Sequence, residues 1–372
     1  MDLALYDPEA GYYARAAQRS GRAGDFFTSV DVGPVFGELL EIQLAEMADI
    51  LSPALPDPPD PPDPPDLRGL PGLPGLPGFD LVEAAAGNGR LAADILTAAQ
   101  RRDSAFYSRI RLHLIEASPA ARAAQPPVLG AMAERLASSS PDLPASFSGV
   151  LLANELLDAL PVHQVVMRRE GLREVYVDAS HGALRTIEGP ASTPELEAYF
   201  ERLGTELEPG ARAEVNLRAC EWIRTAARRL TRGFIIVIDY GHEARELYSP
   251  THAGGTLTTF ARHSAAGPEL PADAPAWLEE AGDRDITSHV DFTSVRMAAE
   301  AEGLTTVGFL DQTYFLIGLG AANLDVSDLK KRLALKTLLM PGGLGSTHKV
   351  LIFGKGVGQP ALAGCSYRMR VT

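Results

Sequence analysis

The sequence of 372 residues carries a formal net charge of −14 and contains 45% hydrophobic residues. That apolar content can fill a substantial core, in one large domain with insertions or in two unequal domains. The acidic balance argues against a general nucleic-acid binder, because a phosphate backbone attracts basic surfaces. A cationic partner or target is easier to accommodate.

Targeting and metal-binding signals are absent from the sequence pattern. No uninterrupted apolar run reaches about 18 residues, and the N-terminus lacks the basic-then-apolar order of a signal peptide. We therefore expect no membrane insertion and a cytoplasmic location. Cys220 and Cys365 stand far apart, without a CxxC or Cys/His cluster. Neither a disulfide framework nor a metal site is expected.

The first 78 residues fall into two parts. Residues 1–51 are predicted to form a loop and then a helix, because apolar residues recur at helical spacing over 33–44. Residues 52–78 repeat proline with aspartate and then with leucine and glycine. Such a segment is stiff and has no apolar face, so we interpret it as a disordered, exposed insertion. A ligand for a proline-recognition module is the weaker alternative.

Short apolar runs then alternate with helical patterns. Strands are predicted at 79–84, 110–115, 149–153 and 234–238, and helices near 90–101, 121–137 and 213–230. This alternation predicts a doubly wound, mostly parallel α/β sheet with its ligand at the carboxyl ends of the strands. The domain is assigned to 79–356, followed by a tail over 357–372. Two late strands, 314–319 and 349–353, are predicted as an antiparallel edge pair.

Two insertions interrupt this pattern, at about 165–212 and 243–285. The first contains a hairpin pattern, with alternating runs at 172–177 and 183–188 around Ser180–Gly182. The second is rich in loop residues. Segments of this kind shape substrate clefts, so both are predicted to lie over the strand ends as lids.

A glycine turn follows the first predicted strand. Gly87 and Gly89 would let the backbone approach a ligand closely, because a Cβ would occupy the ligand's space. The pattern Gly-x-Gly-x-x-Ala alone also fits a dinucleotide site. Glu83 favours the cationic amino-acid end of S-adenosylmethionine, whereas pyrophosphate near this turn would disfavour a carboxylate. A tight turn with an incidental acid is the structural alternative.

Polar residues also follow the next three strands. Glu116 is positioned to accept both hydroxyls of a ribose, a role shared by nicotinamide and methyl-donor enzymes. Asn154 can donate and accept, while Glu155 and Asp158 could orient a cationic nucleophile or accept its proton. The alternative for these three is a helix cap with a solvated acidic turn.

The fourth strand ends in Asp239 and His242, on what would be a second face of the same cleft. His242 and His289 are candidate proton acceptors, because a neutral imidazole is available near pH 7. A lone histidine is nevertheless more often a structural hydrogen-bonding group.

Together these motifs resemble the MidA family, which includes a mitochondrial arginine methyltransferase needed to assemble respiratory complex I. The resemblance runs from Leu5 to about Phe353 apart from the proline-rich insertion. Its landmarks in this sequence are LYxPxxGYY from Leu5, GDFFTS from Gly24, FGE from Phe36, NELLDALPVH from Asn154, DYGH from Asp239 and DITxHVDF from Asp285.

The resemblance implies a seven-stranded, Rossmann-like class I methyltransferase fold and S-adenosylmethionine as cofactor. It implies an arginine side chain of a protein as acceptor, with a respiratory complex subunit as a candidate partner. The oligomeric state stays open, with a homodimer as one option. It also places the opening loop at the cofactor, through Gly24, Asp25, Thr28 and Ser29. For Ser29, a polar turn or helix cap is the alternative.

One departure from the family concerns Ala85, where glycine is usual. This turn therefore either adopts an ordinary backbone at Ala85 or binds its ligand less tightly. Ala85 favours a second hypothesis, an assembly chaperone that keeps the fold without turnover. A nicotinamide-dependent oxidoreductase is the third, supported only by Gly-x-Gly-x-x-Ala. A second departure is at the start. Family members carry a helix before the Leu-Tyr motif, whereas this chain begins four residues ahead of Leu5, so we expect a truncated start.

Overall fold

The computed structural model describes residues 1–14, 28–52, 78–179, 183–261, 264–267, 275–324, 327–340 and 344–367. The predictions for Gly24, for Asp25, for the proline-rich segment between 53 and 77, and for Ser180–Gly182 lie outside these ranges. Within them, no helix combines the length and the apolar character needed to span a membrane.

Helices and strands alternate through most of the described chain. The helices are α1 (Asp2–Tyr6), α2 (Val35–Leu51), α3 (Arg90–Arg102), α4 (Ser104–Arg109), α5 (Pro119–Leu129), α6 (Glu195–Leu203), α7 (Leu217–Arg229), α8 (Ala244–Leu247), α9 (Phe292–Ala301), α10 (Gln312–Gly318) and α11 (Leu329–Leu339). The strands are β1 (Phe79–Ala84), β2 (Ile110–Ile115), β3 (Leu136–Ser140), β4 (Phe147–Asn154), β5 (His163–Arg168), β6 (Gly171–Asp178), β7 (Arg185–Gly189), β8 (Arg212–Val215), β9 (Leu230–His242), β10 (Thr258–Ala261), β11 (Ser264–Ala266), β12 (Asp285–Thr287), β13 (Val290–Asp291), β14 (Thr305–Asp311) and β15 (His348–Lys355).

The main sheet has the strand order β14-β15-β9-β4-β1-β2-β3, with β13 paired to β9 beside this path. Pairs β1–β2, β1–β4, β4–β9 and β2–β3 are parallel. The antiparallel strand is β15, which lies between β9 and the edge strand β14. The predicted doubly wound, mostly parallel sheet is confirmed, and its order reverses at β1, where such sheets bind ligands.

The central strands are apolar because helices cover both of their faces. Leu81 and Ile236 pack into the core that contains α2, α3 and α10. Their neighbours Val82 and Val237 pack into the opposite core with α7 and α9. Successive side chains of a strand alternate between its faces, so each strand contributes to both cores.

The two insertions form small separate sheets. The first gives a four-stranded sheet in the order β7-β6-β5-β8, and β6 pairs antiparallel with β7, as the hairpin pattern predicted. The second gives the three-stranded sheet β11-β10-β12. That these sheets act as lids stays a prediction.

One predicted strand is wrong, and two predicted helices have shorter bounds than expected. Residues 314–319 belong largely to helix α10 and not to a strand, and the partner of β15 is β14. A short apolar run does not distinguish a buried helix from a strand by its periodicity. The helix predicted over 121–137 ends at Leu129, before β3. The helix predicted over 213–230 is preceded by strand β8 and begins only at Leu217.

Candidate functional site

A cavity of about 410 Å³ opens at the carboxyl ends of β1, β2 and β4. Its walls include the glycine turn after β1, the first residues after β2 and β4, and parts of the N-terminal segment. Parallel strands bring these ends to one edge of the sheet, so the acidic and amide side chains that follow them converge there.

The turn after β1 has a left-handed backbone at Ala85 (φ 56°), Gly87 (φ 51°) and Gly89 (φ 82°). A Cβ at Gly87 would meet no atom within 4 Å, so this cavity-lining position leaves open space for a ligand. Gly89 does not line the cavity; a Cβ there would lie 3.3 Å from the Leu114 side chain. The alternative of an ordinary backbone at Ala85 is excluded.

A buried glutamine supports this turn from below. Gln125 in α5 donates through Nε2 to the Gly87 carbonyl oxygen at 2.9 Å. Its Oε1 accepts from the Ser139 hydroxyl at 2.7 Å. Gln125 is wholly buried, so both of its polar ends are committed to holding the turn.

Glu83 places a buried carboxyl group in the cavity wall. Its Oε2 has no hydrogen-bond partner in the described part of the chain. Burial raises the pKa of Glu83 to about 8, despite a hydrogen bond from the Ala92 amide that lowers it. An unpartnered buried acid oxygen fits a cationic ligand group, because pairing would offset the cost of its burial.

Glu116 lies across the turn from Glu83. Its Oε2 accepts from the Gly87 amide at 2.9 Å, and its Oε1 accepts from the Ser118 amide at 2.7 Å. These two bonds hold the carboxylate at the cavity wall. The role predicted for this carboxylate, to accept hydroxyl groups of a ribose, stays a prediction.

Glu155 is the first residue after β4 and has a left-handed backbone (φ 50°). Its Oε1 accepts from the Ser29 amide at 3.1 Å and from Asn154 Nδ2 at 3.2 Å. His348 Nε2 lies 3.9 Å from the same oxygen. Asn154 also lines the cavity, and its Oδ1 has no hydrogen-bond partner among the described residues.

Asp239 lies beneath the turn that follows Glu155. Its Oδ2 accepts from the backbone amides of Leu156, Leu157 and Asp158, at 3.2, 2.8 and 3.4 Å. Burial raises the pKa of Asp239 to about 7, although hydrogen bonds from the Leu157 and Tyr240 amides oppose that shift. Asp239 therefore positions the turn without lining the cavity.

Asp158 is buried next to the cavity and also does not line it. Its Oδ1 has no hydrogen-bond partner among the described residues. Burial, together with the negative charges of Asp239, Asp285 and Glu155, raises the pKa of Asp158 well above its usual value. A neutral carboxyl group is therefore favoured at this position.

His242 and His289 lie away from the cavity, in contact with each other and with His252. The Tyr240 ring separates this group from Glu155: its centroid is 5.2 Å from that of His289 and 5.8 Å from that of His348. Of the five predicted catalytic residues, Glu155 is the one that the structure brings to the cavity wall. The roles of all five stay predictions.

Two residues of the opening loop are described. Thr28 lines the cavity and donates to Asp31 through both its amide and its hydroxyl. Ser29 is wholly buried and donates through its hydroxyl to Gln312 Oε1 at 3.2 Å. Ser29 therefore joins Glu155 to α10, and its proposed contact with the cofactor stays a prediction.

Sequence reasoning did not select several residues of the cavity region. Tyr6 and Tyr13 line the cavity; Tyr6 donates to the Ala159 carbonyl oxygen at 3.0 Å and Tyr13 to Asp285 Oδ1 at 2.8 Å. Both belong to the opening LYxPxxGYY motif, which was a usable signal. Gln125 and His348 gave no such signal, because they reach the site from elements distant in the sequence.

The chain matches a known protein family and a solved structure. Residues 70–310 match the model of a family described as "Putative S-adenosyl-L-methionine-dependent methyltransferase". A crystal structure of a protein from Burkholderia thailandensis, bound to S-adenosyl-homocysteine, is 29% identical with a TM-score of 0.81. The match covers 98% of this chain and 88% of that one.

Curated relatives include protein arginine methyltransferase NDUFAF7, mitochondrial, of Mus musculus, which is 29% identical over 95% of this chain and 75% of its own length. The homologue in Drosophila melanogaster is 28% identical over 85% of this chain and 69% of its own length. The names of both place them in mitochondria. They contradict the expectation of a cytoplasmic location, which rested only on the lack of a recognisable targeting segment.

Proposed function

This chain belongs to the S-adenosyl-L-methionine-dependent methyltransferase family whose model it matches, and from that premise we propose that it methylates an arginine side chain of a partner protein. It is an enzyme with S-adenosylmethionine as its cofactor, which replaces the nicotinamide alternative. The observation that carries the proposal is the cavity itself, whose wall contains Glu155 together with Glu83 and Glu116, the carboxylates expected to contact the cofactor.

The charge of the cavity wall favours cations. Glu83, Glu116 and Glu155 all line it. Arg90 also lines it but pairs with Asp31, at 3.3 Å between Nη1 and Oδ1. Both the sulfonium cofactor and an arginine acceptor are positively charged, so an acidic cavity would attract the two of them.

The cofactor-side residues fit S-adenosylmethionine. Glu83 would pair with its ammonium group. Glu116 would accept hydrogen bonds from its ribose hydroxyls in place of those that it now accepts from backbone amides. The open space beside Gly87 would let the backbone approach the ligand. When bound, the cofactor supplies an electrophilic methyl group attached to a positively charged sulfur.

The acceptor-side residues fit a guanidinium. Glu155 would hold the guanidinium by charge-assisted hydrogen bonds and concentrate its positive charge on the nitrogens facing the carboxylate. The rings of Tyr6 and Tyr13 line the same cavity and can contact the planar cation. Such contacts would fix the acceptor in line with the methyl carbon, which is the main requirement of a displacement.

The chemical step then needs a place for one proton. With the cofactor bound, Glu155 would accept the proton that the acceptor nitrogen loses as it gains the methyl group from the sulfonium. Arginine has a pKa above about 12, so proton removal must accompany attack. His348, at 3.9 Å from Glu155 Oε1, is placed to stabilise that carboxylate before the transfer.

The named relatives support arginine as the acceptor, because their names describe protein arginine methyltransferases. A respiratory complex subunit is the partner class implied by the family resemblance. The experiment uses total protein from cells that lack this chain, so that acceptor sites are unmethylated. The purified chain and isotopically labelled S-adenosylmethionine are added, and mass spectrometry locates the label.

We expect label on arginine side chains of a small number of proteins. Label on lysine, on a carboxylate or only on small molecules would overturn the arginine proposal while leaving methyl transfer intact. A lysate of cells that contain this chain should label the same extract, which shows that the acceptor is present. If the purified chain then transfers no more label than the heat-inactivated chain, the proposal as a whole is overturned.

A further inference from the structure

Three histidines from separate segments meet on the far side of Tyr240. His242 ends β9, His252 ends a 3₁₀ turn after α8, and His289 lies between β12 and β13. One ring nitrogen from each lies within 4.8 Å of the others. The ring centroids are 4.9 to 5.9 Å apart. Three imidazoles converging on one point are a common ligand set of zinc.

Glu246 lies next to two of these rings. His242 Nδ1 lies 3.0 Å from Glu246 Oε1, and His252 Nδ1 lies 3.0 Å from the backbone oxygen of Glu246. The carbonyl oxygen beside His252 Nδ1 favours the tautomer of that ring with hydrogen on Nδ1, which leaves its lone pair on Nε2. His242 Nδ1 is buried and makes no hydrogen bond among the described residues. A carboxylate or carbonyl behind the ligating histidine is the usual outer support of zinc sites.

The third ring carries an unexplained polar atom. His289 Nδ1 is buried and has no hydrogen-bond partner among the described residues. Its backbone amide donates to Thr256 Oγ1 at 3.1 Å, which holds the residue in place. Buried polar atoms of this kind usually have a partner, and an ion bound by the three rings would provide one.

We propose that His242, His252 and His289 form a zinc site, with water completing the coordination. Neutral imidazoles suit zinc better than magnesium or calcium, which prefer oxygen ligands. Tetrahedral coordination would bring the nitrogens to about 3.3 Å from one another, a closure of the present spacing that side-chain rotation can provide. Glu246 adds a negative charge next to the ion.

The bound ion would join three segments of the fold. His242 belongs to the central sheet, whereas His252 and His289 flank the three-stranded sheet of the second insertion. The ion would therefore fix that insertion to the end of β9. The site is independent of the cofactor cavity, whose wall contains none of the three histidines. The spacing of the three histidines in the sequence does not match a metal-binding motif, which explains why no metal site was predicted.

The test is calorimetric titration of the untagged chain with Zn²⁺ after removal of metals by a chelator. We expect one ion per chain with micromolar or tighter affinity. His252→Gln and His289→Gln should each weaken that binding by at least about 10- to 100-fold, since loss of even an outer-shell partner has effects of that size. His113→Gln is the matched control, because His113 contacts Ser138 and Asp80 elsewhere.

A second measurement protects the test against variants that fail to fold. Co²⁺ added to the metal-free unmodified chain should give the intense visible absorption of tetrahedral nitrogen coordination, and Zn²⁺ should displace it. Absence of both zinc binding and this absorption would overturn the proposal. Unchanged zinc affinity in folded His252→Gln and His289→Gln would overturn it equally, because the ion would then bind elsewhere.

Discussion

Two neighbouring turns line the cavity, and each begins with a non-glycine residue in the left-handed region. Ala85 follows β1 and Glu155 follows β4, with φ angles of 56° and 50°. This conformation costs an L-residue about 1–2 kcal/mol. The strands are adjacent and parallel, so the two turns occupy equivalent places in the sheet.

The turns differ in what their first residue contributes. At the first, the Ala86 amide donates to the last carbonyl oxygen of β2 at 3.0 Å, and Ala85 itself has no polar side chain. At the second, the Glu155 amide donates to the Ile238 oxygen at 2.8 Å, and its carboxylate accepts from Ser29 and Asn154. The strain at Glu155 is thus tied to a side chain aimed at the cavity, whereas the strain at Ala85 serves only the backbone.

The largest expected effect follows from removing the charge at Glu155. Glu155→Gln should lower methyl transfer by about 10²- to 10⁴-fold, because the acceptor loses both a charged partner and a proton acceptor. Affinity for S-adenosyl-homocysteine, measured by calorimetry, should stay within a few fold. Transfer rates with labelled cofactor provide the measurement.

Glu208→Gln is the matched control for Glu155→Gln, since Glu208 is exposed outside the cavity wall. It removes the same charge and should leave the rate unchanged. A Glu155→Gln variant with near-normal transfer would show that the second turn is strained for a reason other than chemistry.

The next effect concerns the support of the second turn. Asp239→Ala leaves the amides of Leu156, Leu157 and Asp158 without their buried acceptor. We expect a loss of about 3 kcal/mol in the free energy of unfolding, since each unsatisfied buried group costs about 1–3 kcal/mol. Denaturant unfolding measures it, with the exposed Asp142→Ala as control. Equal stability of the two variants would contradict the positioning role of Asp239.

The acid beside the first turn makes stability depend on pH. Burial raises the pKa of Glu83 from 4.5 to about 8, so the folded chain holds a proton that the unfolded chain releases. The contribution of Glu83 to the free energy of unfolding is fully present below about pH 4.5 and is lost as the pH rises towards 8. Glu83→Gln removes the ionisation and should therefore stabilise the cofactor-free chain at pH 8.

The expected gain of Glu83→Gln at pH 8 is on the order of 2–4 kcal/mol, and near zero at pH 4.5. Thermal unfolding at both pH values measures the difference. Saturating S-adenosylmethionine should favour the unmodified chain, because the ammonium group would pair with ionised Glu83. A gain independent of pH would mean that Glu83 does not titrate in this range.

The sequence predicted the residues that line the cavity better than those that support its turns. Buried strands, a glycine turn and acids at strand ends are local patterns, so Glu83, Gly87, Glu116 and Glu155 were assigned near a ligand and all line the cavity. Asp239 follows a predicted strand and lies within β9, but its capping of a neighbouring turn depends on the pairing of β4 with β9.

Contacts between distant segments were not predictable in this way. Gln125 lies among alanines and prolines of α5, and nothing local indicates that it binds the Gly87 carbonyl. His252 meets His242 and His289 only through the folding of the second insertion. Ala85 shows a different limit of the sequence. An alanine in the glycine turn could have an ordinary or a left-handed backbone, and only its φ angle in the structure distinguishes the two.

The smallest expected effect tests the first turn directly. Ala85→Gly relieves the left-handed strain of about 1–2 kcal/mol, but glycine also gains about 0.4–1 kcal/mol of freedom in the unfolded chain. The free energy of unfolding should therefore rise by between about 0 and 1.6 kcal/mol, with affinity for S-adenosyl-homocysteine equal or tighter. Denaturant unfolding and calorimetry measure these two quantities. Glu155→Gly relieves the same strain but removes the carboxylate, so it should lose methyl transfer. Loss of transfer in Ala85→Gly as well would mean that the strained alanine, like Glu155, contributes to the chemistry.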